Sequence, residues 1–540
     1  MTMKRSRRAA ALVTLSLAAA ALPAVASAAP SAAGCANQNF NDKIEKFLNC
    51  VDAEGAFDHL EAFQSFADAN GGTRASGTEG YDLSADYVAG LLEDAGYSVE
   101  RQVFDFLTYE EFDSSVLVDG VEFGTGGFSY SGSGDVANGN IVAVDLDLGL
   151  GNSSSSGCEP EDFDGLDFSG DSDIALIQRG ACSFFLKAAN AQDAGAEAVI
   201  IFNQGNDPDR LDVINGTLGE TDEVSIPVVN VIYSTGELLA AGGYETISLL
   251  VDSEVTRATT ENVIADLEGN NPDNVVMAGA HLDSVPEGPG IQDNGSGSAA
   301  ILEVALVLAN NKKFTPENTL RFAWWGAEES GLVGSDKYVF DPDFGLTQEE
   351  YDAIALYVNF DMIASPNYIY GVYDANESTF EAPVAVPAGS VYLESLFEEY
   401  YSLNDIPYED TEFSGRSDYD AFISVGIPAS GLFTGAEVLK TEEQEAIWGG
   451  IAGEQFDQCY HEACDTIDNV SFEAMDVNID TIGWAIFKLA YSTEQVNGVE
   501  GADVRAPEVE LDGPQGTFLE GGGGLSPDFE AHNHGGGPES

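Results

Sequence analysis

Positive charge is what this chain has least of. Its 540 residues carry 20 Lys and Arg against 93 Asp and Glu, a formal net charge of −73. A surface of that sign repels nucleic acid and anionic lipid, so neither is expected as a partner. Histidine is nearly as scarce, with five in the whole chain. Six cysteines occur, but no Cys-x-x-Cys, so a thiolate metal site has no framework to build on. Beyond the N-terminus no run reaches the roughly 18 apolar residues that a membrane-spanning helix needs. Hydrophobic residues still make up 44% of the chain, enough for more than one core.

The N-terminus reads as an export signal. Lys4, Arg5, Arg7 and Arg8 precede an apolar stretch from Ala9 to Ala21, and Ala26-Ser27-Ala28 offers a cleavage site. A secreted, extracellular protein is therefore expected, with ordinary secretion favoured over the twin-arginine route that Arg7-Arg8 hints at. The cysteines fall in three close pairs, Cys35/Cys50, Cys158/Cys182 and Cys459/Cys464. An even count in an exported chain favours disulfides. Six cysteines leave 15 connectivities open, of which near-neighbour pairing is the simplest.

Residues 40–107 read as helices followed by a strand, with Phe57, Leu60, Phe63 and Phe66 at helical spacing. From about 109 the texture changes to short β-like runs between Gly/Ser turns, interrupted by buried strands at 173–180 and 198–203 with a helix between them. That block ends near Val255. From Thr259 strands and helices alternate: strands at 275–280, 320–325 and 354–358, and a helix over 299–309 with Leu302, Ala305 and Leu308 aligned. Continuous apolar strands with intervening helices predict an α/β fold in three layers, a mostly parallel central sheet covered by helices. Residues 497–540, rich in Gly, Pro and acid, are expected to be disordered.

Two of the five histidines stand in acidic, glycine-studded strand ends. They are His281, in Ala280-His281-Leu282-Asp283, and His461, in Cys459-Tyr460-His461. Asp293 opens an Asp-Asn-Gly-Ser-Gly turn, Glu328-Glu329 follows Trp325-Gly326-Ala327, and Asp361 lies in Asn359-Phe360-Asp361-Met362. Open α/β sheets bind ligands beyond the carboxyl ends of their strands, where His281, Glu328/Glu329 and Asp361 all fall. Imidazole and carboxylate without thiolate suit Zn²⁺, with Mn²⁺ or Co²⁺ as substitutes. Two histidines and three or four carboxylates exceed what one tetrahedral ion takes. Two ions sharing a carboxylate would use them all and activate one water. The adjacent Glu pair fits the same plan, one carboxylate as ligand and its neighbour as general base. Singly, each motif has an ordinary reading: a turn for Asp293, a solvated face for the Glu pair, a structural loop for His461. Jointly they point to a metal-dependent hydrolase.

These strings resemble the secreted di-zinc aminopeptidases of leucyl-aminopeptidase type. The likeness runs through His281-Leu282-Asp283-Ser284-Val285, Asp293-Asn294-Gly295-Ser296-Gly297, Glu328-Glu329-Ser330-Gly331-Leu332, Asn359-Phe360-Asp361-Met362, Gly415-Arg416-Ser417-Asp418 and Cys459-Tyr460-His461 … Cys464. It implies two Zn²⁺ per chain, one held by His281 and Asp361, the other by Glu329 and His461, with Asp293 bridging. Glu328 would be the general base, and Tyr460 would polarise the scissile carbonyl. Asp283 would orient His281, Cys459–Cys464 would clamp the loop, and Met362, Arg416 and Phe433 would line a pocket for an apolar first side chain. Residues 109–257, through Ala175-Leu176-Ile177-Gln178-Arg179-Gly180-Ala181-Cys182, resemble a protease-associated domain inserted between peptidase segments 29–108 and 258–496. The expected partners are peptide or protein N-termini, met by a monomer; Ca²⁺ has no assignable residues.

The enzyme rivals are a carboxypeptidase or amidohydrolase of the same fold. Both would need cationic groups for a substrate carboxylate, and Arg416 is the main candidate in a chain poor in them. A receptor-like module that has lost its metals is disfavoured by the complete ligand set. A thermolysin-like site is excluded, since no His-Glu-x-x-His occurs.

Overall fold

In the computed structural model, which describes residues 43–515 apart from 208–209, 215, 312–313, 503, 505 and 508, the apolar runs near 275, 320 and 354 become three adjacent parallel strands. The export signal, Cys35 and residues 516–540 lie outside the described residues. The expected Cys35–Cys50 pair falls across that edge. Cys50 is buried in the first core and is disulfide-bonded, but with Cys35 outside the described residues the bridges described in full are only Cys158–Cys182 and Cys459–Cys464.

The strands are β1 (Ser98–Val118), β2 (Val121–Phe123), β3 (Thr125–Gly127), β4 (Gly134–Ala137), β5 (Asn140–Ala143), β6 (Asp173–Gln178), β7 (Ala198–Phe202), β8 (Val228–Val231), β9 (Ile247–Leu267), β10 (Asn271–His281), β11 (Asn318–Trp325), β12 (Ile354–Phe360), β13 (Gly371–Tyr373), β14 (Glu409–Thr411) and β15 (Ala429–Phe433). One sheet follows the order β14-β13-β15-β12-β10-β11-β9-β1-β2, with β4 also on β9; the second is β3-β8-β7-β6-β5.

The centre of the large sheet, β11-β10-β12-β15, is parallel throughout. Antiparallel pairings of β9 with β11 and of β13 with β15 flank it. Side chains of successive strand residues point to opposite faces. Accordingly Ala278, Ala280, Phe322, Trp324, Val358 and Phe360 join one core, and Met277, Ala323, Trp325 and Tyr357 join another. The first face is covered by helices α1 (Ala53–Ala69), α2 (Glu79–Ala95), α3 (Gly295–Asn310), α4 (Ser390–Leu403) and α5 (Phe472–Tyr491). Helix α3 is buried on every side from Gly295 to Leu308, which is why its sequence is apolar all round rather than striped. It begins four residues earlier than the periodicity predicts, because the Asn294 side chain accepts from the Gly297 amide and caps it.

The second sheet packs one face on a helix (Phe184–Ala194) and the other on the outer half of the β1–β9 ribbon, through Val116, Leu249 and Val251. Those two strands are where structure and expectation part. Each is 21 residues long, and both run unbroken through 108–109 and 257–258, where the sequence suggested domain boundaries. The acidic, turn-like stretch Glu110-Glu111-Phe112-Asp113 is still β because this part of the ribbon is solvated and needs no apolar alternation; a bulge falls between Glu111 and Asp113. The expected disordered tail also differs over its described part. Ala502 N–H bonds the Tyr491 carbonyl, Gln515 N–H bonds that of Tyr408, and Val504 and Ala506 pack on the first core. Among the described residues no helix is long and apolar enough to cross a membrane.

Candidate metal centre

Strand register does most of the gathering. His281, the last residue of β10, pairs with Trp325, so Glu328 and Glu329 follow three and four residues beyond the same level. Gly279 pairs with Asn359, which sets Asp361 level with His281 across β10 and β12. Asp293 comes to the rim because Asn294 ties the start of α3 to the end of β12. Its Nδ2 donates to the Phe360 carbonyl at 2.9 Å, and its Oδ1 also accepts from Met362 N–H at 3.1 Å. This approach is so close that a Cβ on Gly297 would lie 2.0 Å from the Phe360 oxygen. The Gly-Ser-Gly run is therefore a packing requirement as well as a turn.

The gathered atoms form two triads that share one carboxylate. Asp293 Oδ1 lies 3.2 Å from His281 Nε2, and Asp293 Oδ2 lies 3.3 Å from His461 Nε2. Asp361 Oδ1 is 3.3 Å from His281 Nε2, and Glu329 Oε2 is 3.1 Å from His461 Nε2. Zinc bonds of about 2.0–2.1 Å place tetrahedral donor atoms about 3.3 Å apart, so both triads have the spacing of a zinc shell. Buried, unbonded oxygens support the same fit. Asp361 Oδ1 and Glu329 Oε1 have no hydrogen-bond partner, an arrangement that is costly unless a cation takes the lone pairs.

The electrostatics of the bare residues also call for positive charge. Burial opposes a charged His281, but the carboxylates of Glu328 and Asp361 outweigh it and raise its pKa well above the usual value. His461 is likewise pushed up, against desolvation, to about 11 by Glu329 and Asp293. Burial raises Glu328 and Glu329, whereas the two imidazoles overcome burial at Asp293 and hold it low. A divalent cation would supply what the imidazolium protons supply here.

Glu328 stands beside this cluster, its Oε2 3.8 Å from His281 Nε2. Asp283 touches both: its backbone carbonyl lies 3.2 Å from His281 Nδ1, and its Oδ1 accepts from the Glu328 amide at 3.2 Å. Tyr460 stacks on His461 with ring centroids 3.8 Å apart, and its hydroxyl accepts from Arg416 Nη2 at 3.2 Å. Burial raises the Tyr460 pKa, so the hydroxyl keeps its proton for donation. Arg416 is itself fixed by Glu437 at 2.7 Å. Met362 is buried beside Asp361, and Phe433 ends β15, two strands from β10. The Cys459–Cys464 disulfide closes the loop that bears Tyr460 and His461. Cys158–Cys182 lies in the second sheet's domain, and Cys50 lies before α1 in the core of the large sheet, so neither belongs to the metal centre.

Several contributors carried no role in the sequence reading. Asp465 accepts from the amides of Gln292 and Asp293, at 2.9 and 3.0 Å, and so fixes the shared carboxylate's backbone. Ser417 Oγ donates to Asp361 Oδ2 at 2.6 Å. Ser417 lies in the Gly415-Arg416-Ser417-Asp418 motif and Asp465 directly follows Cys464, but nothing in one dimension says what they touch. Arg74 is the clearest omission, and its rarity in so acidic a chain was the available signal. Its fully buried guanidinium donates to the carbonyls of Leu282, Pro289 and Gly290, bracing the loop between His281 and Asp293. Burial lowers its pKa to about 10, which still leaves it charged at neutral pH. Arg74→Met is expected to strand three carbonyls and cost at least about 3 kcal/mol of stability. A shift of the denaturation midpoint worth less than about 1 kcal/mol would rule out that bracing role.

A sheet with a parallel centre, two imidazoles and a ring of carboxylates at its carboxyl rim, and an inserted second sheet define a class: peptidases of the zinc-exopeptidase architecture. Residues 262–485 match the model of peptidase family M28, and residues 137–239 match that of the PA domain. An aminopeptidase of Pseudomonas aeruginosa is 45% identical over 456 residues, 83% of either chain. A probable leucine aminopeptidase 2 of Arthroderma benhamiae is 37% identical, over 86% of this chain and 88% of its own. Among solved structures, an aminopeptidase from Aneurinibacillus sp. strain AM-1 superposes with a TM-score of 0.65 at 27% identity, covering 88% of this chain and 100% of that one. The chain belongs to peptidase family M28, with an inserted PA domain.

Proposed function

We propose that the protein is a secreted, zinc-dependent aminopeptidase that removes N-terminal residues from peptides, with a preference for apolar ones. The observation that carries the reading is Asp293, whose two oxygens face one imidazole each in triads of zinc-like spacing. His281 and Asp361 would hold one Zn²⁺ and Glu329 and His461 the other, with Asp293 placed to serve both. Bound there, the pair would acidify a shared water and polarise the scissile carbonyl.

The remaining chemistry falls to the chain's own side chains. Glu328, free of a ligand role, takes the proton of the attacking water and delivers it to the departing amine. Tyr460 donates its hydroxyl proton to the carbonyl oxygen as negative charge develops, and Arg416 fixes the ring's position from its other side. Asp283 keeps His281 and the Glu328 amide in register.

Charge decides the end of the peptide that is recognised. Arg416 is committed to Glu437 and Tyr460, and Arg74 to three carbonyls, so neither is available to grip a substrate carboxylate. The carboxylates around the cluster, Asp293, Glu329, Glu462 and Asp465, instead favour the approach of a cationic ammonium over that of a carboxylate. The apolar preference rests on the family resemblance, which gives Met362 and Phe433 a place in the substrate pocket. Export is supported by the disulfides and by the basic–apolar N-terminus.

The test joins metal analysis to an assay of free and N-acetylated peptide amides. Two zinc ions per chain and loss of cleavage on acetylation are expected. Efficient hydrolysis of the acetylated substrate would point instead to an amidohydrolase of the same fold.

A further inference from the structure

The loop bearing Glu328 and Glu329 is held in an unfavourable shape. Ala327 and Leu332 adopt positive φ, +56° and +60°, and Gly331 adopts +109°. A left-handed backbone crowds the Cβ of a non-glycine residue, so the loop needs anchors that over-determine it. Three anchors come from the peptidase part: Asn262 accepts from Gly326 N–H, Ser76 from Ala327 N–H, and Asp283 from Glu328 N–H. The fourth comes from the inserted region. Tyr130 donates its hydroxyl proton to the carbonyl of Ser330, the residue after Glu329, at 2.7 Å. Its other neighbour, the Leu107 carbonyl, is 3.2 Å away; a phenol has one proton, and the shorter contact takes it.

Tyr130 is well placed to transmit position. It is 5% exposed and belongs to the core of the second sheet's domain, with Phe128 and Phe184, so its hydroxyl moves only as that core moves. Burial keeps it protonated.

We infer that Tyr130 is a positioning residue through which the inserted domain sets the placement of Glu328 and Glu329. The inserted domain is then a structural part of the active site's geometry in addition to any part it plays in substrate access. This rests on the proposed aminopeptidase reading for its kinetic consequence, but not for its structural one.

The test is Tyr130→Phe in the full chain, with Tyr109→Phe as control. Tyr109 is the neighbouring ring, and its hydroxyl bonds Glu111 rather than the loop. For Y130F, kcat is expected to fall about three- to tenfold with KM within about twofold, as for one lost neutral hydrogen bond. Zinc content and melting temperature should match the wild type, and amide exchange over 326–332 should quicken. Y109F should change none of these. Unchanged kcat and exchange in Y130F would overturn the inference, as would a loss that merely tracks zinc content or melting temperature, or an equal loss in Y109F. If the wild type itself cleaves no N-terminal residue, the functional reading fails while the exchange measurement still decides the role of Tyr130.

Discussion

Glu328→Gln is expected to lower kcat by about 10²- to 10⁴-fold while leaving two zinc ions in the protein. The amide keeps the size and the backbone contact to Asp283, so the loop should not move. What disappears is the one carboxylate of the adjacent pair that the proposed ligand set leaves free. Glutamine has no basic site to accept a proton from water or to return it to the leaving amine. The same change at Glu329 should behave differently, because it replaces the charged carboxylate that lies 3.1 Å from His461 Nε2 with a neutral, weaker ligand and so reduces zinc content. Metal analysis beside steady-state kinetics separates the two. Should E328Q retain more than about a tenth of the wild-type rate, Glu328 is not the base.

Asp293→Ala carries the other large effect. Asp293 belongs to both triads, so its loss deprives each of a donor. Zinc content is expected to fall from two per chain to one or none, and activity by more than about 10³-fold. Chain folding should survive, since the backbone amides of Gln292 and Asp293 remain bonded to Asp465 and the cluster sheds one of its mutually repelling carboxylates. Zinc titration on refolded protein with unchanged circular dichroism is the check. Two tightly held ions in D293A would mean that the carboxylate does not join them.

These substitutions differ in how far the sequence anticipates them. His281, Glu328 and Asp361 are legible because each follows an apolar strand, and strand ends are where α/β sheets place ligands. The buried strand and helix of the inserted region are legible for the same reason, as apolar runs of the right length. The β1–β9 ribbon is not, because its middle stretch is solvated and its acidic segment mimics a turn. Nor is the docking of Ala502, Val504, Ala506 and Gln515, where a Gly/Pro/acid-rich composition masks a few apolar contacts and backbone hydrogen bonds that only a neighbouring surface supplies.

By itself the sequence determined the types of group this protein would use, because metal chemistry selects imidazole and carboxylate and because periodicity marks the strands that carry them. Distance was beyond it. That one aspartate turns an oxygen to each histidine, that an arginine remote from every motif braces the loop between them, and that a tyrosine of the inserted domain reaches the glutamate pair were decided by strand register and helix capping. These are contacts between residues up to about two hundred positions apart, and no local pattern encodes which of the many polar side chains will meet.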